Sequence, residues 1–296
     1  MINFENVCKY DLSDITLNIP KGEIVGIIGA SGAGKTTLIK LACGLLAPDS
    51  GKVWTLGKDP VKYRSKYGSD ISTFIVGTQL LEKEDTVLQG FEMIASIYGL
   101  SGEYFKRRYS GLSEKLGFAE LSEYRVKDLS LGQKMRAELG AALLYEPKLL
   151  LLDEPNVGLD ENGKSALCEA LKQGSESGMT VLLTSHDMAS VSRACTRLVI
   201  LDGGKLVFYG SLDNLRSRYL PINRMTVRFG GRVPDLDDIP SVKYSLEGNS
   251  LTLEYNANHI TAAEITALLL RQTEITEIAI HKPDLEELIM QIRGEK

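Results

Sequence analysis

The run Gly-Ala-Ser-Gly-Ala-Gly-Lys-Thr at residues 29–36 constrains the fold of this chain more than any other feature. The apolar run Ile24 to Gly29 leads into it and predicts a short strand. Apolar residues at helical spacing follow it and predict a helix: Leu38, Leu41, Leu45 and Leu46. A strand, this glycine pattern and a helix, in that order, are typical of a loop that binds phosphate groups. The chain is therefore expected to contain an α/β nucleotide-binding unit.

The loop offers a phosphate three kinds of contact. Gly32 and Gly34 let the backbone turn tightly, so that its amides and the helix N-terminus point at phosphate oxygens. Lys35 can neutralise charge on the β- and γ-phosphates, and Thr36 can give its hydroxyl to Mg²⁺. The predicted nucleotide-binding segment is Gly29, Ala30, Ser31, Gly32, Ala33, Gly34, Lys35, Thr36 and Thr37.

Two carboxylates follow a second apolar run, Leu149 to Leu152. The run predicts a buried strand, and open α/β sheets bind their ligands at the carboxyl ends of their strands. Asp153 suits Mg²⁺ coordination, and Glu154 can orient a water molecule and accept its proton as general base. We expect both carboxylates to face the phosphates.

The remaining patterns predict two domains. A helix around 165–172 and a strand at 180–184 continue the alternation, which implies a buried parallel sheet with flanking helices. Strand signals vanish over residues 82–145, where helical spacing predicts a helical subdomain. We therefore assign an ATPase domain to residues 1–220 and a small α+β domain to 221–296. The elements expected in this second domain are strands at 225–229, 242–246, 251–255 and 275–280, a hairpin turn at 247–250, and helices at 261–271 and 284–292.

Composition excludes several classes of protein. With 34 basic and 39 acidic residues the net charge is −5, so no global positive field favours nucleic acid as a partner. The four cysteines form no C-x-x-C pair, which disfavours a metal site and fits reduced thiols in the cytosol. We find neither a signal peptide nor an apolar run of the ~18 residues that span a bilayer. If this chain acts at a membrane, another chain must cross it.

Residues 129–133 narrow the class, since Leu-Ser-Leu-Gly-Gln resembles the ABC-family signature L-S-G-G-Q with Leu131 in place of the first glycine. Asp153-Glu-Pro155 continues the same family's catalytic strand, although Asn156 stands where the family usually has threonine. The ordered set is completed by Gln79, Gly158-Leu-Asp160 and His186. Over roughly residues 2 to 218 the chain therefore resembles an ABC transporter ATPase subunit, with a P-loop NTPase core.

The resemblance implies roles for three residues near the phosphate loop. His186 is the sensor that hydrogen-bonds the γ-phosphate, and Gln79 is a ligand of Mg²⁺ and water at the joint to the helical subdomain. Tyr10 resembles the aromatic residue that stacks on adenine. The implied cofactors are ATP and Mg²⁺. The same resemblance assigns catalytic roles to Glu154, His186 and Gln79 and metal contacts to Thr36, Gln79 and Asp153.

The signature also implies assembly. Ser130 and the amide of Gly132, at the start of a helix expected from Gln133 to Leu144, form an anion-binding end suited to a γ-phosphate. In the family that phosphate belongs to the opposite subunit, and Gln133 and Asp160 also contact ATP. One chain carries one phosphate loop and one signature, so we expect two chains, as a homodimer, to close head-to-tail around two ATP molecules.

Flanking residues indicate a branch of the family. Thr86-Val87, Ile97-Tyr-Gly-Leu100 and the ending from Pro283 to Leu288 resemble ATPases paired with ABC-2-type exporter permeases. The expected partner is a separate membrane-spanning permease, which would hold the chain at the cytoplasmic face of the membrane. The alternative is a soluble ABC ATPase acting on DNA or the ribosome, but the coiled coils, cysteine pairs or second ATPase core of such proteins are missing from this sequence.

Overall fold

The computed structural model describes residues 1–75, 77–219, 222–236, 239 and 243–281. It contains two compact units, Met1–Gly210 and Ser211–Lys296. The boundary predicted between residues 220 and 221 lies one helix further along the chain, because the helix Leu212–Tyr219 falls within the second unit.

The first unit alternates strands and helices along the chain. Its elements are β1 (Ile2–Lys9), β2 (Leu12–Ile19), β3 (Ile24–Gly29), α1 (Lys35–Ala42), β4 (Ser50–Thr55), α2 (Pro60–Tyr63), β5 (Ile71–Phe74), α3 (Val87–Ile97), α4 (Gly102–Leu116), α5 (Leu131–Leu143), β6 (Leu149–Asp153), α6 (Glu161–Glu176), β7 (Thr180–Thr184), α7 (Met188–Ala194), β8 (Arg197–Asp202) and β9 (Lys205–Ser211).

A six-stranded sheet with the order β5-β6-β7-β3-β8-β9 forms the centre of this unit. The pairs β5·β6, β6·β7, β7·β3 and β3·β8 are all parallel. Every residue of β3, β6 and β7 is buried, which is why these strands appear in the sequence as continuous apolar runs. The predicted α/β class is confirmed. Because β6, β7 and β3 are neighbours, the loops at their carboxyl ends meet at one edge of the sheet.

A second, antiparallel sheet has the order β2-β1-β4. Ile2, Phe4 and Val7 of β1 are buried in one cluster with Ile27 of β3 and Leu38 of α1, so the two sheets share a core. The residues between β1 and β2 are Tyr10 and Asp11. This tight turn places Tyr10 beside the phosphate loop.

Helix α1 is shorter than its apolar spacing predicts, because it ends at Ala42 and leaves out Leu45 and Leu46. Gly44 has a φ of +74°, and a Cβ on it would lie 2.2 Å from the carbonyl oxygen of Pro60. The chain turns away through a conformation that only glycine fits there. The apolar spacing continues past this turn because Leu46 still packs against the core.

The segment 82–145 contains α3, α4 and α5. Its apolar centre includes the rings of Phe91, Tyr109 and Phe118, whose centroids lie 5.0 to 6.0 Å apart. Thr86 caps α3 through a capping box with Gln89. No helix within the described residues is both long and apolar enough to pass through a membrane.

The second unit comprises α8 (Leu212–Tyr219), β10 (Ile222–Gly230), β11 (Lys243–Glu247), β12 (Ser250–Asn256), α9 (Ala262–Leu270) and β13 (Glu274–His281). Its antiparallel sheet has the order β11-β12-β10-β13, and α9 packs on it through Ile265 and Leu269. The hairpin turn lies between β11 and β12 as the sequence predicts. The helix predicted at 284–292 lies outside the described residues.

Candidate nucleotide site

The phosphate loop joins β3 to α1 as the sequence predicts. Gly32 and Gly34 have φ values of +83° and +97°, a region that residues with a Cβ rarely adopt. A Cβ on Gly34 would lie 2.3 Å from Leu12, whereas the same position on Gly32 faces open space. Gly34 is also the N-cap of α1 and makes no side-chain cap hydrogen bond. The loop is therefore an open cradle at a helix N-terminus, the arrangement that attracts phosphate.

Lys35 is only 7% exposed, and its ammonium group lies inside the loop. Its Nζ donates hydrogen bonds of 2.9 Å to the carbonyl oxygens of Gly29 and Ala30. Ala33 donates its amide to the same Ala30 oxygen at 3.2 Å. These contacts fix both the curvature of the loop and the position of the positive charge.

Asp153 lies at the centre of a hydroxyl network and is 3% exposed. Thr36 Oγ1 lies 2.9 Å from both of its carboxylate oxygens, and Thr184 Oγ1 donates to Oδ1 at 2.6 Å. Thr184 in turn accepts the amide of Glu154 at 2.9 Å. The network joins the ends of β6 and β7 to the start of α1 and brings together Thr36 and Asp153, two of the three residues predicted to contact the metal.

Glu154 and His186 are neighbours across the ends of β6 and β7. The His186 amide donates to Glu154 Oε2 at 3.2 Å, and His186 Nε2 lies 3.0 Å from Oε1. Within the described part of the chain, Oε1 is buried and no group reaches it with hydrogen-bond geometry, the 3.0 Å contact from His186 Nε2 included. Glu154 itself has a φ of +49°, a strained conformation for a side-chain-bearing residue. Such strain and a buried oxygen without a donor are typical of a functional position.

These groups line one cleft of about 350 Å³. Tyr10 stands at its rim, 71% exposed, with Lys9 Nζ 4.9 Å from the ring centroid. An exposed ring beside the phosphate cradle suits stacking on a nucleobase. The cleft is lined by Lys9, Tyr10, Asp11, Leu12, Ser31, Gly32, Gly34, Lys35, Thr36, Thr37, Asp153, Glu154 and His186.

The residues present fit a magnesium nucleotide. The open position at Gly32 and the uncapped start of α1 suit phosphate oxygens. Thr36 and Asp153 offer the oxygen ligands that Mg²⁺ prefers, either directly or through water. The buried Oε1 of Glu154 lacks the donor that a water molecule in the cleft would supply.

A second cleft, of about 610 Å³, is built around the signature. Ser130, Gly132, Gln133 and Asp160 all line it, as does Gly158.

Helix α5 begins at Leu131, two residues before the predicted start at Gln133, because Ser130 is its N-cap. The Ser130 hydroxyl accepts the Gln133 amide at 3.3 Å, and the Gln133 side chain accepts the Ser130 amide at 2.9 Å. The prediction of the helix start was wrong because it overlooked this capping box.

Asp160 belongs to the same cleft but serves two structural contacts. It caps α6 by accepting the Gly163 amide at 2.8 Å, and it forms an ion pair with Arg136 of α5 at 2.5 Å. The Gly163 hydrogen bond and the Arg136 charge hold the pKa of its carboxyl below the ordinary value. Arg136 therefore ties the signature helix to the segment that carries Asp160.

The structure does not bring Gln79 into either cleft. Gln79 follows β5, is exposed, and is absent from the residues that line the phosphate cleft. Sequence reasoning also missed Thr184 and Arg136. Thr184 is the polar carboxyl end of β7, whose three central residues are apolar, and Arg136 lies one helical turn after Gln133. Each residue therefore gives only a weak signal in the sequence.

Comparison with known proteins agrees with this geometry. A sequence profile of the family described as ABC transporter matches residues 12–157. Linearmycin resistance ATP-binding protein LnrL of Bacillus subtilis (strain 168) is 30% identical over 99% of this chain and 98% of that protein. Nod factor export ATP-binding protein I of Bradyrhizobium diazoefficiens is 29% identical over 97% of this chain and 92% of that protein.

A solved structure shares the fold of most of this chain. It is a dimeric ATP-binding cassette in a post-hydrolysis state, bound to ADP and Pi, and it superimposes with a TM-score of 0.63. The two proteins are 26% identical over 72% of this chain and 99% of that chain.

Proposed function

The chain belongs to the ABC transporter family, as a subunit that binds and hydrolyses ATP, and on this premise we propose that it powers an ABC-2-type exporter. Its partners would be a separate permease and a second copy of this chain, at the cytoplasmic face of a membrane. The names of two relatives, a resistance protein and an export protein, support this direction of transport. The same names do not favour the alternative, a soluble ATPase acting on DNA or the ribosome.

The residues of the first cleft would divide the work on ATP. The loop amides and Lys35 would hold the β- and γ-phosphates, and Tyr10 would pack on the base. Thr36 and Asp153 would hold Mg²⁺, which supplies charge neutralisation at the phosphates when bound. Glu154 would accept the proton of the attacking water at Oε1, with the neighbouring His186 hydrogen-bonded to the γ-phosphate.

One observation carries the proposal for a shared site. The phosphate cleft and the signature cleft are separate in this chain, and each contains only part of the groups that the reaction needs. Lys35, Asp153 and Glu154 line one cleft, whereas Ser130 and Gly132 line the other. A head-to-tail pair would place each signature cleft opposite the partner's phosphate cleft and complete two sites.

The test is the oligomeric state of Glu154→Gln with and without Mg-ATP, measured by size-exclusion chromatography with light scattering. The amide preserves shape but cannot accept a proton, so turnover should fall by roughly 10²–10⁴-fold while ATP binding persists. Unhydrolysed ATP should then stabilise the pair by mass action. A variant that hydrolyses ATP at the wild-type rate would remove Glu154 from the role of base.

The matched control adds Ser130→Arg, which places bulk at the proposed γ-phosphate contact. The ATP-dependent dimer should disappear while the phosphate cleft of each subunit still binds ATP. An ATP-dependent dimer that survives this change would contradict the shared site. Purification of the full chain with its membrane partner, followed by identification of the exported compound, addresses the exporter proposal.

A further inference from the structure

Glu138 is a buried carboxylate inside the signature helix. It is 2% exposed, and its neighbours Ala137 and Leu139 on α5 are also buried. Oε2 accepts the backbone amide of Leu80 at 2.8 Å, and Oε1 accepts that of Leu81 at 3.4 Å. The carboxylate thus joins α5 to a segment more than fifty residues earlier in the chain.

Burying this group is costly, which argues for a specific role. Desolvation raises the pKa of Glu138, while the two backbone amides and the charge of Lys134 oppose that rise. An apolar side chain would suit the rest of this buried helix face without the cost of burying a charge. Replacing the carboxylate would, however, leave two amides without their acceptor.

The two amides belong to the residues that directly follow Gln79. Leu81 is itself buried, and its Cδ2 lies 2.8 Å from the position of a Cβ built on Gly90 of α3. The absence of a side chain at Gly90 lets Leu81 pack close against α3. Residues 79–81, which we call the Gln79 segment, therefore contact the helical subdomain in two places. Glu138 of α5 accepts two of their amides, and Leu81 packs on α3.

The same helix begins at Ser130 in the signature cleft, so α5 contacts both functional segments. Gln79 lies outside the phosphate cleft while its segment is fastened to α5. A displacement of α5 relative to the parallel sheet would carry Ser130 and Gln79 together, because one rigid helix holds both.

We propose that Glu138 is a positioning residue: through the amides of Leu80 and Leu81 it fixes the Gln79 segment to the signature helix, so that loss of the carboxylate misplaces Gln79. This inference rests on the proposed function and on the role in hydrolysis that the family resemblance implies for Gln79. It assigns Glu138 an effect on turnover that acts through Gln79, with no contact between Glu138 and nucleotide.

The test is a double-mutant cycle between Glu138→Met and Gln79→Ala in the full chain. Methionine keeps the volume and helix preference of glutamate but lacks both acceptor oxygens. Misplacement of Gln79 should lower kcat by about 10- to 100-fold, with the KM for ATP and ATP affinity unchanged. Because both changes act on one step, the double variant should be no slower than Gln79→Ala alone.

Two further variants separate positioning from a general loss of structure. Glu138→Gln keeps an oxygen that can accept the Leu80 amide, so it should restore most of the turnover. Glu169→Gln changes an exposed glutamate of α6 and should leave turnover unchanged. If Glu138→Met does not fold, Glu138→Asp replaces it in the cycle, since the shorter carboxylate cannot reach both amides.

The inference is overturned if the kcat losses at Glu138 and Gln79 multiply, or if Glu138→Met weakens ATP binding as much as turnover. It is also overturned if Glu138→Met has wild-type kcat. The proposed function fails in a different way, through absent ATP hydrolysis by the unmodified chain or absent ATP-dependent pairing of Glu154→Gln. The two failures are therefore distinguishable.

Discussion

The phosphate cleft and the signature cleft are both built at helix N-termini, but the helices α1 and α5 begin differently. The N-cap of α1 is Gly34, which makes no side-chain cap hydrogen bond, whereas the N-cap of α5 is Ser130, closed in a capping box with Gln133. The first-turn amides of any helix need acceptors from outside the helix. At α1 a phosphate can supply them directly, whereas at α5 a phosphate must compete with Ser130.

Lys35 and Arg136, one cation from each cleft, are held by different kinds of group. Lys35 is held by the carbonyl oxygens of Gly29 and Ala30, whereas Arg136 is paired with the carboxylate of Asp160. The phosphate cleft is therefore arranged to bind nucleotide on its own. In the signature cleft, Ser130 is engaged in the capping box and Asp160 is paired with Arg136, so we expect this cleft to gain a ligand when a partner presents one. This difference predicts that nucleotide binds one chain first and that pairing follows.

The largest effect is expected from Lys35→Ala, which tests whether the phosphate cleft binds nucleotide through Lys35. The change removes the cation that the loop holds against the phosphates, so ATP binding should weaken strongly and hydrolysis should be lost. Calorimetric titration with ATP measures the binding affinity. Lys40→Ala on the same helix is the control, and its affinity should be that of the wild type. Near-normal affinity in Lys35→Ala would mean that the loop is not the phosphate cradle.

A smaller effect is expected from Asp153→Asn. The amide can still accept from Thr36 and Thr184 but loses the negative charge, so the affinity for Mg²⁺ should fall about 10- to 100-fold. ATP binding without Mg²⁺ should be unchanged or tighter, since a negative charge near the phosphates is removed. Titration of ATPase activity with Mg²⁺ checks this. An unchanged Mg²⁺ requirement would remove Asp153 from the metal site.

The sequence predicts the first cleft better than the second because the two use different information. The phosphate loop, Asp153 and Glu154 lie directly at strand ends, and strand ends can be located from the buried apolar runs of β3 and β6. Parallel strands then bring their carboxyl ends to one edge without further knowledge of the fold. Thr184 joins them for the same reason, although a single threonine gives little signal.

Contacts between distant segments could not be predicted from local patterns. Glu138 is hydrophilic in a buried helix, and only the structure shows that its partners are the amides of Leu80 and Leu81. The predicted end of a helix was wrong where the turn that ends it depends on a distant part of the chain. The example is Gly44, where the close approach of the Pro60 carbonyl leaves no room for a side chain. Gln79 was predicted at the phosphates from resemblance, and its position in this structure depends on packing of the helical subdomain.

A third prediction tests the N-cap of the signature helix α5 through Ser130→Ala. Loss of the cap should lower the free energy of unfolding by about 1 kcal/mol. Thr86→Ala removes the equivalent capping box of α3 and should cost a similar amount, measured by denaturant unfolding. Only Ser130→Ala should also weaken the ATP-dependent dimer of Glu154→Gln. Equal weakening by Thr86→Ala would mean that the cap acts through helix stability alone.

The smallest effect concerns pH and Glu138, two turns beyond the cap of α5. Burial raises the pKa of Glu138 above its ordinary value of 4.5, against the opposing hydrogen bonds from Leu80 and Leu81 and the charge of Lys134. The folded state therefore holds this proton at pH values where the unfolded chain has released it, so burial of the charged form lowers stability at neutral pH.

As the pH falls through the raised pKa, the wild type should gain stability relative to Glu138→Gln, which does not titrate. The gain should be complete only below pH 4.5, the ordinary pKa, and its size, at about 1.4 kcal/mol per unit of pKa, measures the shift. Denaturant unfolding of both proteins at matched pH values isolates this group, because every other titrating residue is common to the two. A difference that stays constant, or that moves in favour of Glu138→Gln on acidification, would show that the two amides stabilise the charged carboxylate more than burial penalises it.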